Sequence, residues 1–147
     1  MGSALLLAPR PMSYVLVSDG REKDMRDLQM EPARPSGAST KQRVFGDQGK
    51  TPGDPFLAPF FETALEHVWG GVWNRPGLDL KYRSLVVVSV LAAIGQNEEL
   101  KRHLHGALNL GWTVDELREA LLQIGGYAGF PAAHEALRTL SEIATPH

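Results

Sequence analysis

The sequence predicts an all-α domain of five to six helices that assembles with further copies of itself. From Pro55 onward the apolar residues recur at helical spacing, with no comparable run of strand alternation. N-capping residues and glycines divide this half of the chain into helix-sized segments. These helices carry more apolar surface than a single chain of 147 residues can bury when it folds. Unburied apolar faces favour an oligomer.

An irregular arm, residues 1–40, is expected to precede a helical domain at residues 41–147. Seven of the ten prolines lie at or before Pro59, and charges of both signs are mixed there without a sustained period. Residues 13–17 have the composition of a strand, but they lack a predicted partner, so an irregular tail is favoured. We expect one short helix near residues 41–45.

The first two helices of the domain are predicted from broad apolar stripes. One covers residues 57–73 and ends before a loop that contains Pro76. The second begins at Leu80, after an N-cap at Asp79, and runs to about Ile94 before a glycine. Because it is apolar almost all round, we expect it to be central. The stripe of the first helix consists of Phe60, Phe61, Ala64, Leu65, Val68, Trp69, Val72 and Trp73.

Three more helices follow, each with a start or stop signal. Asn97 is expected to cap the third helix, and Gly111 to take a left-handed conformation after its end. Thr113 and Glu116 have the spacing of a capping box for the fourth helix. Pro131 suits the first turn of the fifth helix.

Composition excludes several classes of function. The chain has no cysteine, which excludes disulfides, thiolate zinc sites and thiol catalysis. Its 15 basic and 17 acidic residues give no global field for binding nucleic acid or an anionic membrane. No apolar run approaches the ~18 residues of a membrane span. We expect a cytoplasmic protein that binds small molecules and copies of itself.

Glu99 and His103 form the first candidate for chemistry. A separation of four residues places both on one helix face, where a carboxylate can orient an imidazole for proton transfer. The same spacing is common for a solvated surface pair. It could also hold a metal ion, but no third ligand stands at a recognisable spacing.

Arg83 is the second candidate, because a cation near a helix N-terminus gains nothing from the helix dipole. Either it pairs with Asp79 or with an acid of the arm, or its guanidinium receives a substrate carboxylate. Arg75 is expected in a loop, where solvation is the ordinary state of an arginine.

Two further features allow both packing and binding. Gly125 and Gly126 interrupt a predicted helix, so they either permit close packing or leave space for a ligand. Trp69 and Trp73 are more often core residues than a ligand platform.

Several blocks of the sequence occur together in one known family. They are HVWGGVWNRPGL at 67–78, RSL at 83–85, ELKRH at 99–103, then Ala107, Asn109, Gly111 and Glu116, and lastly YAGFPAA at 127–133. In this order and spacing the sequence resembles the carboxymuconolactone decarboxylase family. Residues 43–47 are compatible with the segment that precedes these blocks, whereas residues 1–35 have no counterpart.

The resemblance implies an all-helical subunit in a homo-oligomer, a trimer or a hexameric ring. One branch of the family, which resembles alkylhydroperoxidase D, carries a CxxC motif whose cysteines would fall on Gln96 and Glu99. Peroxidase chemistry is therefore excluded, since neither residue forms a thiolate. The decarboxylase branch keeps the tryptophan and ELxxH blocks found here.

For function, the resemblance implies a cofactor-free decarboxylase of a carboxylated lactone such as 4-carboxymuconolactone, in the β-ketoadipate route for degrading aromatic compounds. No metal is expected, because the conjugated lactone carbonyl can itself accept the electrons. Arg83 would hold a substrate carboxylate, and His103, oriented by Glu99, would protonate the dienolate. Substrate-binding residues would be Trp69, Trp73, Arg75, Tyr127 and His134.

Three positions depart from the family pattern. Gly71 stands where an acidic residue is common, Ala128 replaces a frequent cysteine, and His134 replaces a frequent asparagine. Another lactone or acid substrate is therefore one alternative, and a non-catalytic, oligomerising module that binds small molecules is the other. Convergence of Arg83, Glu99 and His103 on one cavity would favour the enzyme.

Overall fold

A computed structural model describes residues 34–46 and 53–145 of the chain. Within these ranges the structure is all-helical, as predicted. It contains α1 (Gly37–Phe45), α2 (Ala58–Thr63), a π-helix (Ala64–Val72), α3 (Leu80–Ala93), α4 (Asn97–Asn109), α5 (Val114–Ala128) and α6 (Phe130–Ala144). The strand considered at residues 13–17 lies outside the described residues, as does most of the arm at 1–40. The domain boundary at residue 40 stays a prediction, although the helix expected at 41–45 is present and already begins at Gly37.

The main core lies between α3, α4, α5 and α6. These helices present one apolar face each to a common interior, and burial of such faces supplies most of the stability of a small domain. Partly buried side chains such as Trp112 and Ile124 close its edges. The buried residues are Val88, Ala92, Leu100, Leu104, Ala107, Leu117, Leu121, Ala136 and Leu140.

The helix ends follow the predicted signals, with one exception. The Asp79 side chain accepts a hydrogen bond from the Lys81 amide at 2.8 Å, and the Thr113 capping box is formed. Asn97, however, is not the cap of α4. The Gln96 carbonyl already accepts the amide of Leu100 at 2.8 Å, so the helix begins one residue earlier than predicted.

A second, smaller core joins α1 to the π-helix and α4. Its buried members are Val44, Phe45, Trp69 and Trp73. Two glycines permit the close approach of the three helices. A Cβ at Gly37 would lie 1.9 Å from the Leu65 carbonyl oxygen, and one at Gly106 would lie 2.9 Å from Val44 Cγ1.

The π-helix replaces the second half of the single helix predicted at residues 57–73. Its wider turn is seen at Trp73, whose amide donates to the carbonyl of Val68 five residues earlier at 2.9 Å. Apolar periodicity does not distinguish this geometry from an α-helix. Short π-helical segments are frequent at functional sites.

One face of α3 remains exposed in the described chain. The helix is central as predicted, since it packs against α4, α5 and α6, but its apolar residues are not all covered within the described part of a single subunit. The buried positions of α3 are Ser84, Val88 and Ala92. The exposed stripe consists of Tyr82, Val86, Val90 and Ile94, each four residues from the next.

Candidate active site

The imidazole of His103 lies among three aromatic side chains. Its ring centroid is 5.0 Å from that of Phe45, with the planes at 71°. The centroids of Trp69 and Trp73 are each 6.4 Å from it, in stacked orientation. The two indoles stack on one another at 4.7 Å. We call these three residues the aromatic enclosure of His103.

Three helices build this enclosure. Trp69 lies on the π-helix and Trp73 directly follows its last residue. Phe45 comes from the end of α1, and its ring centroid is 5.3 Å from that of Trp69. Gly106 lies one turn after His103 on α4, and a Cβ there would be 3.1 Å from the Phe45 ring. The absence of a side chain at Gly106 therefore lets the phenyl ring reach the imidazole.

The enclosure keeps His103 neutral at pH 7. Burial lowers the pKa of His103 from 6.5 to about 4, and the positive charge of Arg102 acts in the same direction. The buried Nδ1 atom has no hydrogen-bond partner among the described residues. A buried polar atom without a partner costs roughly 1–3 kcal/mol, so a ligand or water that reaches it is stabilised.

The lowered pKa of His103 predicts a loss of stability in mild acid. The unfolded chain binds a proton near pH 6.5 and the folded chain near pH 4, so between these values the unfolded state binds more protons. Stability is thus lost as pH falls through this window, by on the order of 3 kcal/mol. Arg102, whose charge also lowers the pKa of His103, is present in both proteins to be compared. Urea unfolding from pH 7 to pH 4.5 should show a steeper loss for the natural chain than for His103→Gln. Parallel curves would contradict the assignment.

Glu99 does not orient His103 in this structure. Its carboxylate forms an ion pair with Arg102, three residues later on α4, and remains about half exposed. A neutral imidazole offers the carboxylate no charge, whereas the guanidinium at i+3 does, so the ion pair is the better partner. The ion pair of Glu99 is thus formed with Arg102, and not with His103 as the spacing of four residues had suggested.

Within the described residues Arg83 bonds to two backbone carbonyls and not to Asp79, and its predicted role toward a substrate carboxylate stays a prediction. Its Nε donates to the Leu78 carbonyl at 2.9 Å, and Nη2 donates to the Arg75 carbonyl at 2.7 Å. The guanidinium thereby holds the loop between the π-helix and α3. The side chain of Arg75 itself is exposed in that loop. Since Asp79 is engaged in capping α3, the ion pair with it is replaced by two backbone contacts.

Tyr127 and His134 lie at the surface, near the turn between α5 and α6. Tyr127 is 85% exposed, and His134 Nδ1 is 3.5 Å from Glu135 Oε1. Within the described residues, no contact joins either of them to the aromatic enclosure. Tyr127 instead lines an open groove of about 550 Å³ between α3 and α5. The other residues that line it are Leu85, Ser89, Ala93, Ala120, Gln123, Ile124 and Ala128.

The two helical glycines of α5 serve different purposes. A Cβ at Gly125 would lie 3.3 Å from that of Ala133, so this glycine permits close packing of α5 and α6. Gly126 faces open space, since a Cβ at this position would meet nothing within 4 Å. Close packing therefore accounts for a glycine at position 125, but it does not account for a glycine at position 126.

Residues of α1 are the part of the site that sequence reasoning missed. Phe45 completes the aromatic enclosure, and the buried Thr40 donates from its hydroxyl to Asn74 Oδ1. The Asn74 amide donates in turn to the Pro35 carbonyl. Asn74 belongs to the block at residues 67–78 that was quoted above, so its place in this block was the one sign in the sequence that it has a structural role. These contacts fix α1 on the loop that follows the π-helix.

Neither a metal cluster nor a membrane-spanning helix is found in the described part of the chain. In the ranges 34–46 and 53–145, no three His, Asp or Glu side chains are grouped so as to hold a metal ion. Among the helices of those ranges, none is long and apolar enough to cross a membrane.

Three known proteins illustrate what this chain is similar to in sequence. A 4-carboxymuconolactone decarboxylase of Acinetobacter baylyi is 47% identical over 75 residues, 51% of this chain and 56% of that protein. A nitrosuccinic acid decarboxylase of Metarhizium robertsii is 46% identical over 85 residues, 56% of this chain and 58% of that protein. An uncharacterised protein of Methanocaldococcus jannaschii is 27% identical over 86 residues, covering 58% of this chain and 80% of that protein.

The chain spans less than two thirds of the length of the two decarboxylases that it matches. The model of the carboxymuconolactone decarboxylase family matches residues 58–142, which is more than half of the chain and extends from α2 into α6. The matched region includes His103 and both tryptophans of the aromatic enclosure. The chain therefore belongs to the carboxymuconolactone decarboxylase family.

Proposed function

We propose that this protein is a carboxy-lyase that removes CO2 from a small organic acid and returns a proton to carbon through His103. The observation that carries the proposal is the neutral imidazole in its aromatic enclosure, with a buried Nδ1 that lacks a partner among the described residues. A desolvated, polarisable proton-transfer group of this kind suits general acid–base catalysis. Two decarboxylases among the relatives support the reaction class.

The reaction needs an electron sink, and the substrate can supply it. When the bond between carbon and carboxylate breaks, its electron pair stays on the substrate, delocalised into a conjugated carbonyl or a nitro group. CO2 leaves, and the carbon then takes up one proton. The protein binds the acid, excludes water and delivers that proton, so we propose no cofactor for this step.

His103 would acquire its proton together with the substrate. In the free protein the imidazole is neutral, because burial lowers its pKa to about 4. A substrate anion placed beside the ring favours the imidazolium form. After CO2 has left, the imidazolium protonates the carbanion and becomes neutral again. Trp69 and Trp73 would form the apolar wall against which the substrate lies.

Arg83 is our proposed ligand for the reacting carboxylate. Two of its nitrogens hold the loop of residues 75–78, and Nη1 makes no hydrogen bond within the described chain. The same contacts would make Arg83 a positioning residue for Arg75. Glu99 would act indirectly, by holding Arg102. Tyr127 and His134 would contribute only if a neighbouring copy brought them to the substrate.

Two substrates are suggested by the relatives. 4-Carboxymuconolactone is the first candidate, because the relative named for it is 47% identical to this chain. Nitrosuccinic acid is the second candidate. The relative named for it is 46% identical and matches a slightly larger part of this chain. Both could be handled by the same sequence of steps, since each carbanion is delocalised. The replacement of an acidic residue by Gly71 near the enclosure is compatible with a changed substrate.

Incubation of the purified full chain with each acid separately tests the proposal. We expect release of bicarbonate from one of them, with one solvent deuterium in the product when the reaction is run in D2O. Release from neither acid would contradict the proposed activity and would favour the alternative of a non-catalytic module that binds small molecules.

We also propose that the subunit is part of a homo-oligomer, a trimer or hexamer, through the exposed stripe of α3. An apolar stripe along one helix can pair with its own copy about a two-fold axis, as in a hexamer built from dimers, or pack on a different surface of the next subunit, as in a trimer. The double variant Val86→Glu/Val90→Glu should therefore reduce the molar mass measured by light scattering to that of one subunit or of a smaller assembly. The control Ser141→Glu, at an exposed polar position on α6, should leave the mass unchanged. An unchanged mass in the double variant would contradict this interface.

A further inference from the structure

The side-chain amide of Asn74 uses both of its polar groups to hold helix α1. Its Oδ1 accepts a hydrogen bond from the Thr40 hydroxyl, and its Nδ2 donates to the Pro35 carbonyl, which precedes α1. Because a proline carbonyl can only accept, the amide nitrogen has to face Pro35 and the amide oxygen has to face Thr40. The two contacts therefore fix the orientation of the amide as well as its position.

Thr40 directs its buried hydroxyl away from its own helix. Thr139, which is likewise buried, donates to the carbonyl four residues earlier on α6 at 3.0 Å. The equivalent carbonyl for Thr40 is that of Ser36, which already accepts from the Thr40 amide and the Ser39 hydroxyl. A buried hydroxyl needs a partner, and for Thr40 this partner is Asn74. The contact with Asn74 thus contributes to where α1 lies, and not to its helical form.

Asn74 itself stands at the start of a loop that α3 holds. Arg83 on α3 donates to the carbonyls of Arg75 and Leu78 at 2.7 and 2.9 Å. Asn74 directly precedes this loop and directly follows Trp73 of the aromatic enclosure. The loop therefore has an anchor that does not depend on α1, and the amide of Asn74 transfers the position of this loop to α1.

The other end of α1 carries the Phe45 ring, whose centroid is 5.0 Å from that of His103. Thr40 lies five residues before Phe45 on the same nine-residue helix, so a displacement at Thr40 is carried along α1 to the ring. A second side-chain contact near this end, from Asn109 Nδ2 to a backbone carbonyl of α1, is long for a hydrogen bond at 3.3 Å. Asn74, with two contacts, is therefore the stronger polar link of α1 to the described site.

We propose that Asn74 is a positioning residue for decarboxylation, which sets through α1 where Phe45 lies against His103. This inference rests on the proposed function, because it takes His103 as the proton donor to carbon. Asn74 acts on the imidazole and not on the carboxylate, whose proposed ligand is Arg83. Loss of its contacts should therefore slow the chemical step and leave substrate binding nearly unchanged.

Asn74→Asp tests the proposal, because a carboxylate has the same shape but no N–H group for the Pro35 carbonyl. We expect kcat to fall about tenfold or more, since small displacements in a reacting geometry are costly. The KM should change by about twofold at most. A nuclear Overhauser contact between the rings of Phe45 and His103, expected in the natural chain at a centroid distance of 5.0 Å, should weaken or vanish in the variant.

Two substitutions at Thr40 separate the hydrogen bond from the packing of the side chain. Thr40→Ser keeps the hydroxyl and loses a methyl group, whereas Thr40→Val keeps the volume and loses the hydroxyl. If the contact with Asn74 positions α1, Thr40→Ser should retain most of the natural kcat and the ring contact, and Thr40→Val should resemble Asn74→Asp. A Thr40→Val protein closer to the natural chain than Thr40→Ser would overturn the proposal.

Asn97→Asp is the matched control, because it is the same change at a residue whose side chain makes no hydrogen bond within the described chain. It should keep the natural kcat and the ring contact, and circular dichroism should show that all variants are folded. Natural kcat and an unchanged ring contact in Asn74→Asp would overturn the proposal, as would a raised KM without a loss of kcat. Loss of the ring contact in Asn74→Asp, without CO2 release from either candidate acid by the natural chain, would count against the proposed function alone.

Discussion

Replacement of His103 by glutamine is expected to slow decarboxylation by about a hundredfold or more, which is the usual contribution of a positioned acid–base group. Glutamine keeps a polar side chain of similar length on α4, but it cannot carry a proton to carbon. The rings of Phe45, Trp69 and Trp73 would still enclose it. The loss should therefore appear in kcat, while binding of a non-reacting diacid should change little.

His105→Gln is the control for this prediction. His105 lies two residues later on the same helix and is half-buried, but no ring contact places it in the aromatic enclosure. Initial rates of bicarbonate release should separate the two variants by the full hundredfold. Near-UV circular dichroism, which reports the packing of the tryptophans, should be the same for both. A His103→Gln protein that turns over at the natural rate would remove the imidazole from the mechanism.

The helices that carry their own end signals could be predicted from the sequence. Asp79 and Thr113 each bind an amide two or three residues ahead, so the evidence for these helix starts is local and readable. The π-helix could not be predicted, because its apolar residues satisfy the α-helical period equally well. Its geometry is seen in the structure, for example in the hydrogen bond that the Trp73 amide donates to the Val68 carbonyl.

The site was predictable in its sequence blocks and not in its long-range contacts. Trp69, Trp73 and His103 were all named from the sequence, and the structure brings them together. Phe45 comes from α1, whose position depends on contacts with residues far along the chain, and no local pattern encodes these contacts. The partner of Glu99 was also undetermined, because positions i+3 and i+4 are both within reach. Because burial keeps His103 neutral, the Glu99 carboxylate pairs with the charged Arg102 at position i+3.

Substitution of Gly37 by alanine is expected to destabilise the domain by about 3 kcal/mol, at the upper end of the usual cost of overpacking. The added Cβ would lie 1.9 Å from the Leu65 oxygen and 2.8 Å from the Gly70 nitrogen. Both are backbone atoms of the π-helix, so no side chain can rotate to make room. Helix α1 would have to move away as a unit, and the contact of Phe45 with His103 would be lost.

Gly126→Ala is the matched control, because a Cβ at Gly126 inside α5 meets nothing within 4 Å. It should stabilise the protein by about 0.5–1 kcal/mol, since alanine favours a helix interior over glycine. Urea unfolding measures both effects, and NMR titration of His103 supplies a second readout. Undocking of α1 would expose the imidazole, so in Gly37→Ala its pKa should rise from about 4 towards 6.5. If the two glycine variants were equally stable and His103 titrated alike in both, α1 would not be the element that keeps this histidine neutral.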